Sequence, residues 1–302
     1  MEDMLPFDQA AGVLPFELRQ LARSMPKSEQ SSVEEFRLRI GRPLSVVLRD
    51  REKVLPRSPD VSGEDLRTTL EIATQASVHA ALTQIQRGFV TIKGGHRIGL
   101  CGTAVLKGER VYNLRDLSSL NVRIARQMIG IGETILPVLR QVSVMPSVLI
   151  LAPPGAGKTT LLRDMIRCLS CGIGGLSMRV GVADERGELA ATYQGVPQFD
   201  LGPQTDVVDG CSKADGLMML LRGMNPQVMA VDEITAPEDV AAIECAVGCG
   251  TTLLATAHGS KVEDLKYRPL YMRLLKMHIF QKVLIIKCEN GMRRYRVEDM
   301  PC

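Results

Sequence analysis

The chain has 302 residues, of which 45% are hydrophobic, 24% charged and 4% aromatic, with no tryptophan and a formal net charge of +3. That is enough apolar material for a sizeable core and, by length, two domains; the charge is too small to imply nucleic acid by itself, and no apolar run approaches the length needed to span a bilayer. The eight cysteines are scattered and no secretory leader is apparent, so free thiols in a reducing cytosol are expected, with zinc held by 168, 171, 245 and 249 not expected because these positions lack ligand spacing with histidine.

In chain order, residues 9–23 read as a weak helix interrupted by Pro15. Residues 35–48 alternate apolar and basic side chains around a Gly-Arg-Pro turn, the pattern of a hairpin buried on one face. Residues 63–87 predict a helix closed by Gly88. Strands are then expected over 89–93, 97–106 and 109–114, separated by the Gly94-Gly95 and Lys107-Gly108 turns. This composes a small α+β domain over residues 1–127, where the basic excess of the chain also lies. Arg115, Arg123 and Arg126 sit near its end; such arginines either swing onto a nucleotide and neutralise transition-state charge, as in ring ATPases, or form structural ion pairs.

Residues 128–302 have another texture. The continuous apolar run 148–151 suits a buried parallel strand. It leads through Ala152, Pro153, Pro154, Gly155, Ala156 and Gly157 into Lys158, Thr159 and Thr160, where apolar residues begin to recur at helical spacing. A strand, a glycine loop and a helix N-terminus make successive N–H groups converge on one point, the arrangement that cradles phosphates. In it, Lys158 reaches the terminal phosphates of ATP and the Thr159 hydroxyl ligates Mg²⁺. A second apolar strand, 228–231, ends in Asp232-Glu233, so that Asp232 can act on Mg²⁺ and Glu233 can polarise an attacking water. The strand 178–183 ends in Asp184-Glu185-Arg186, and 252–256 leads into Ala257-His258-Gly259. In an open α/β sheet, ligands bind at the carboxyl ends of the strands, where these side chains would gather. The expected fold is therefore α/β, a RecA-like P-loop ATPase domain with a C-terminal β-hairpin, preceded by the smaller α+β domain. Two assignments stay open on residues alone: Asp184-Glu185 is an acidic pair of the site or a solvated helix start, and His258 is a γ-phosphate sensor or a hydrogen-bonded loop histidine.

Beyond these motifs, the segments QRGFVTIKGGHRIGL (86–100), LRDLSSLNVRIAR (114–126), GKTTLLRD (157–164), DERGELA (184–190), TDVVDGCSKA (205–214), VDEI (231–234) and TAHG (256–259) resemble the stage III sporulation protein AA family. These are ATPases of endospore-forming Firmicutes related to type II and type IV secretion ATPases, and the resemblance runs from about residue 34 to the C-terminal hairpin. It implies a homo-hexameric ring that energises a channel-like complex between mother cell and forespore. Such a ring would be cytoplasmic, peripheral at the inner face of a membrane, with integral membrane subunits as partners. It also places the nucleotide-site acidic box on Asp184-Glu185, the Walker B glutamate on Glu233, the histidine box on His258, and a family arginine on Arg222. The mechanism expected is in-line attack by a water held by Glu233, with Glu185 as a second base. The departure from the family pattern is Ala152, where glycine is usual. Two rival functions remain. A nucleic-acid-dependent RecA-like ATPase has the basic N-terminal region in its favour, but nucleic acid is an unexpected partner because aromatic stacking faces are scarce. The other is a nucleotide-gated scaffold whose hydrolysis is incidental.

Overall fold

The computed structural model describes residues 5–49, 51–75, 85–86, 88–140, 145–289 and 292–300. By contacts the chain divides into two compact units, residues 1–126 with 191–198, and residues 127–190 with 199–302.

The first unit contains helices α1 (Pro6–Ala11), α2 (Phe16–Arg23), α3 (Lys27–Gln30) and α4 (Gly63–Thr74). Where residues 9–23 suggested one interrupted helix there are two, and Pro15 is the N-cap of the second. α4 opens with a capping box, Ser62 and Asp65 each bonding the other's backbone N–H, and ends at Gln75 in the left-handed region; the rest of the helix expected up to residue 87 lies largely outside the described residues. The sheet has the order β3-β2-β1-β6-β5-β4, from β1 (Glu35–Arg39), β2 (Ser45–Val47), β3 (Glu52–Val54), β4 (Phe89–Thr91), β5 (Arg97–Lys107) and β6 (Arg110–Arg123). On β1 the alternation is strict: Phe36 and Leu38 are fully buried while Glu35, Arg37 and Arg39 face the half-wet side. Phe36 meets Phe7 of α1 with ring centroids 5.3 Å apart, which ties the helices to the sheet.

β6 extends nine residues further than the expected strand end at Leu114. The continuation is masked in sequence by Arg115-Asp116: Arg115 still pairs with Thr103, and residues 116–118 then leave the ladder before Ser119 pairs with Cys101. Gly102 lies opposite, and a Cβ there would stand 2.7 Å from the Arg115 carbonyl oxygen, so the missing side chain is what admits the bulge.

The Gly94-Gly95-His96 turn is a knot of this unit. His96 is completely buried. Its Nδ1 accepts from the Ala125 N–H at 3.0 Å, which leaves the proton on Nε2 to donate to Gln9 Oε1 at 3.3 Å. The Gly94 N–H donates to Gln198 Oε1 at 2.8 Å, bringing the 191–198 segment into the unit.

The second unit is built on a seven-stranded sheet of order β13-β12-β7-β11-β10-β8-β9, with β7 (Val148–Ala152), β8 (Val180–Asp184), β9 (Thr205–Asp209), β10 (Val228–Val231), β11 (Thr252–His258), β12 (Lys282–Glu289) and β13 (Met292–Asp299). All neighbours are parallel except β12 and β13, which form an antiparallel hairpin. Helices α5 (Ile131–Leu139), α6 (Lys158–Cys171), α7 (Lys213–Gly223), α8 (Pro237–Gly248) and α9 (Pro269–Lys276) accompany the sheet, with a 3₁₀ turn over Val262–Tyr267. Every residue of β7, β8 and β10 is buried, and alternate side chains feed two separate apolar cores. Val148, Ile150, Val182 and Ala230 enter one with α5 and α6; Leu149, Leu151, Met229 and Val231 enter the other with α7, α8 and α9. Coverage of both faces is why these strands are unbroken apolar runs rather than alternating ones.

Candidate functional site

The chain leaves β7 for β8 across two intervening strands, so the carboxyl ends of β7, β11, β10 and β8 lie side by side. Ala152, the position where a glycine was expected, is the last residue of β7, is fully buried and is not among the residues with positive φ. A Cβ is therefore unstrained there, and the backbone carbonyl does the local work, accepting from the Lys158 ammonium at 3.1 Å. Residues 153–157 form the loop. Gly155 (φ +74°) and Gly157 (φ +100°) are in the left-handed region that other residues enter at a cost; Gly157 is the N-cap of α6, and Lys158 its first residue. Pro154 and Gly155 are exposed, Ala156 is buried, and Thr160 is half-buried in the first turn of the helix.

Lys158 is buried, and its ammonium also donates to the Pro153 carbonyl at 3.2 Å and to His258 Nδ1 at 2.8 Å. Burial lowers its pKa, against an upward pull from the nearby charges of Glu233 and Asp232. With Nδ1 accepting from the ammonium, the proton of His258 sits on Nε2, which faces Glu233 Oε1 in a close contact. The other carboxylate oxygen of Glu233 pairs with Arg186 Nη1 at 3.0 Å. Glu233 itself has φ +50°, an unfavourable backbone state for a non-glycine residue and one that clusters at functional positions. Its N–H is held by Thr256 Oγ1 at 3.0 Å.

Asp232 is bracketed by two hydroxyls: Thr159 donates to Oδ2 at 2.7 Å and Thr256 to Oδ1 at 2.6 Å. The hydroxyl of α6 and the carboxylate of β10 thus already share a bond, the pair of hard oxygen donors that suits Mg²⁺. Among the described residues, no group of three or more His, Cys, Asp or Glu side chains gathers for a metal.

The acidic pair at the end of β8 divides its work. Asp184 is buried and accepts from the N–H groups of Glu188 at 2.8 Å, Leu189 at 3.1 Å and Ala190 at 2.8 Å, shaping the following loop. Glu185 receives the Lys213 ammonium at 2.7 Å. Burial would raise the Glu185 pKa, but the Lys213 bond and charge outweigh it and hold the carboxyl below its usual value. Lys213 is buried and also reaches Thr235 Oγ1 at 3.2 Å and Asp239 at 3.7 Å.

Lys158, Thr159, Asp232, Glu233 and His258 therefore meet in one place, with Glu185 beside them on the neighbouring strand end. Within the second unit, Arg222 does not join them. Arg222 is exposed in the last turn of α7, before β10 begins, and the Asn225 carbonyl that follows accepts from Arg179 at the start of β8; this is the opposite end of the sheet. Arg115 and Arg123 lie exposed on β6 of the first unit, Arg115 against Asp116 at 3.5 Å. Arg126 donates to the carbonyls of Ser31 and Val33. Sequence reading alone missed Thr256, Arg186 and Lys213 as partners of the site. It also missed Arg293 of β13, whose Nε donates to the Ala156 carbonyl of the loop at 2.9 Å. Only the pairing of β12 with β7 reveals that last contact.

These elements define a RecA-like P-loop ATPase fold preceded by an α+β part. The ATPase DotB from Legionella pneumophila has this fold at TM-score 0.57 and 18% identity, covering 94% of this chain and 79% of DotB. The pilus retraction motor PilT with bound ADP matches at TM-score 0.63 and 16% identity, over 91% of this chain and 83% of PilT. Sequence narrows the class. The family model for sporulation stage III, protein AA, matches residues 7–297. Stage III sporulation protein AA of Bacillus subtilis (strain 168) is 39% identical over 285 residues, 94% of this chain and 92% of that protein. The chain belongs to the sporulation stage III protein AA family.

Proposed function

We propose that the chain is an ATP-hydrolysing motor subunit. The observation that carries this reading is the meeting of Lys158, the Thr159–Asp232 pair, Glu233 and His258 at adjacent strand ends. The N–H groups of residues 154–160 would cradle the phosphates, with Lys158 exchanging its carbonyl partners for phosphate oxygens. Thr159 and Asp232 would hold Mg²⁺, which when bound neutralises charge on the triphosphate. Glu233, restrained by Arg186 and His258, would orient and polarise the attacking water, and His258 would register the terminal phosphate through its bond to Lys158. Glu185 is the weaker second base, since Lys213 already occupies its carboxylate.

Family membership and the ATPase and motor of like fold support the wider setting. In it, residues 1–127 form an N-terminal domain and 128–302 the motor, assembled as a homo-hexamer. Arg115 and Arg123 of the first unit, with Arg222, would then act on the nucleotide of a neighbouring subunit. The ring would sit peripherally at the inner face of a membrane, bind integral membrane subunits and energise a channel between mother cell and forespore. No helix among the described residues is long and apolar enough to cross a membrane, so attachment would run through such partners.

The test is Glu233→Gln in the purified chain. The expected result is ATP affinity within about threefold of wild type and turnover reduced on the order of a hundredfold or more. Unchanged turnover removes Glu233 from the role of base.

A further inference from the structure

The C-terminal hairpin overhangs the phosphate loop. β12 is parallel to β7 with Ile285 opposite Leu151, so its last residues run on past the end of β7 to where the loop begins. β13 returns with Cys288 opposite Arg293. Side chains alternate along a strand, so Arg293, Tyr295 and Val297 share a face. Tyr295 and Val297 pack on the core that contains Leu161 and Leu162 of α6, which directs Arg293 toward the N-terminal end of that helix. There its Nε donates to the Ala156 carbonyl, and its guanidinium lies 3.2–3.7 Å from where a Cβ on Gly157 would stand.

The Nε bond alone would be a tether for the loop. The rest of the guanidinium argues for more. Among the described residues it has no other hydrogen-bond partner, and no carboxylate faces it. Arg293 is exposed, and its guanidinium stands beside Gly157, the N-cap at the positive end of α6. A guanidinium beside a helix N-terminus adds its charge to the positive end of the dipole, an arrangement that favours an anion between them. A planar guanidinium anchored through Nε keeps its remaining N–H groups in a fixed fork that matches phosphate oxygens.

We infer that Arg293 binds the phosphate chain of the nucleotide held by its own chain's loop, so that the C-terminal hairpin supplies a cation in cis. This rests on the nucleotide-binding reading above. The hairpin thereby becomes part of the binding site rather than an edge of the sheet.

The test titrates ADP with magnesium into the full chain at low and high salt, for wild type, Arg293→Gln, Arg293→Ala and Arg293→Lys. Arg294→Gln serves as control, because Arg294 is on the other face of the strand and pairs with Glu289. Gln can still donate to the Ala156 carbonyl but carries no charge. The expected result is about tenfold weaker binding for both Gln and Ala at low salt, a smaller deficit at high salt, Lys between them and wild type because it keeps the charge without the fork, and the control within about threefold of wild type. Melting without nucleotide should be unchanged in all of them. Gln binding like wild type while Ala is weak reduces Arg293 to a tether and overturns the inference, as do equal affinities throughout. Failure of the wild type itself to bind overturns the reading of the site instead.

Discussion

Two glycine turns, one in each unit, put a basic residue next to left-handed backbone and do opposite things with it. In the first unit, Gly94 has φ +85°, and a Cβ on it would stand 2.5 Å from Gln9 Oε1 and 2.8 Å from His96 Nε2. The turn is filled by its own protein. Both ring nitrogens of His96 and the Gly94 N–H have partners within the unit, and burial together with the charge of Arg126 drives His96 down to a pKa of about 4. In the second unit, a Cβ on Gly155 would meet nothing within 4 Å, and Lys158 leans on two backbone carbonyls and a histidine. That loop is open, with bonds that a better partner can replace. The difference teaches that a motif's distinctiveness and its chemistry are separate matters: the unusual Gly-Gly-His segment is packing, and the widespread glycine loop carries the proposed site.

This contrast can be broken by substitution. The largest expected effect is from Gly94→Ala, which adds a clash to backbone strain and should destabilise the first unit by about 3 kcal/mol, read from the denaturation midpoint or from amide exchange in β1 and β6. A similar size is expected on acidification. His96 has a folded pKa lowered from 6.5 to about 4, so the stability it contributes is complete above pH 6.5 and is lost as pH falls toward 4. The full loss is about 3 kcal/mol. His96→Asn should flatten that part of the pH profile, and an unchanged slope between pH 6.5 and 4.5 would show that His96 is not the titrating group. Smallest is Gly155→Ala, where only the positive φ of +74° is penalised; a loss of about 1 kcal/mol is expected. A loss as large as that of Gly94→Ala would mean that the loop is packed after all.

Much of the second unit was legible because burial on both sheet faces writes itself as continuous apolar runs. β7 and β10, with Lys158 and Asp232-Glu233 after them, follow directly from such runs. Legibility fails where structure is made by distant partners. The strand Thr205–Asp209 lies at the sheet edge with a half-exposed, largely polar sequence, so no apolar run announces it. β6 continues through Arg115-Asp116 only because Gly102 on the next strand admits a bulge. The acidic pair is visible as two carboxylates, yet its division of labour is set by the N–H groups of residues 188–190 on Asp184 and by Lys213 on Glu185. Arg293 carries no local signal at all: it reaches the loop across 137 residues by way of a hairpin register.

The most direct measurement of the central claim is thermal melting of the full chain with and without ATP and magnesium, for wild type and Lys158→Met. Burial already works against the charge of Lys158, so the substitution should leave the nucleotide-free melting temperature close to that of wild type. Nucleotide should then raise the melting temperature of wild type, by mass action on the folded state, and leave that of Lys158→Met unmoved. Equal shifts in both, or none in wild type, would contradict the assignment of this loop as the phosphate site.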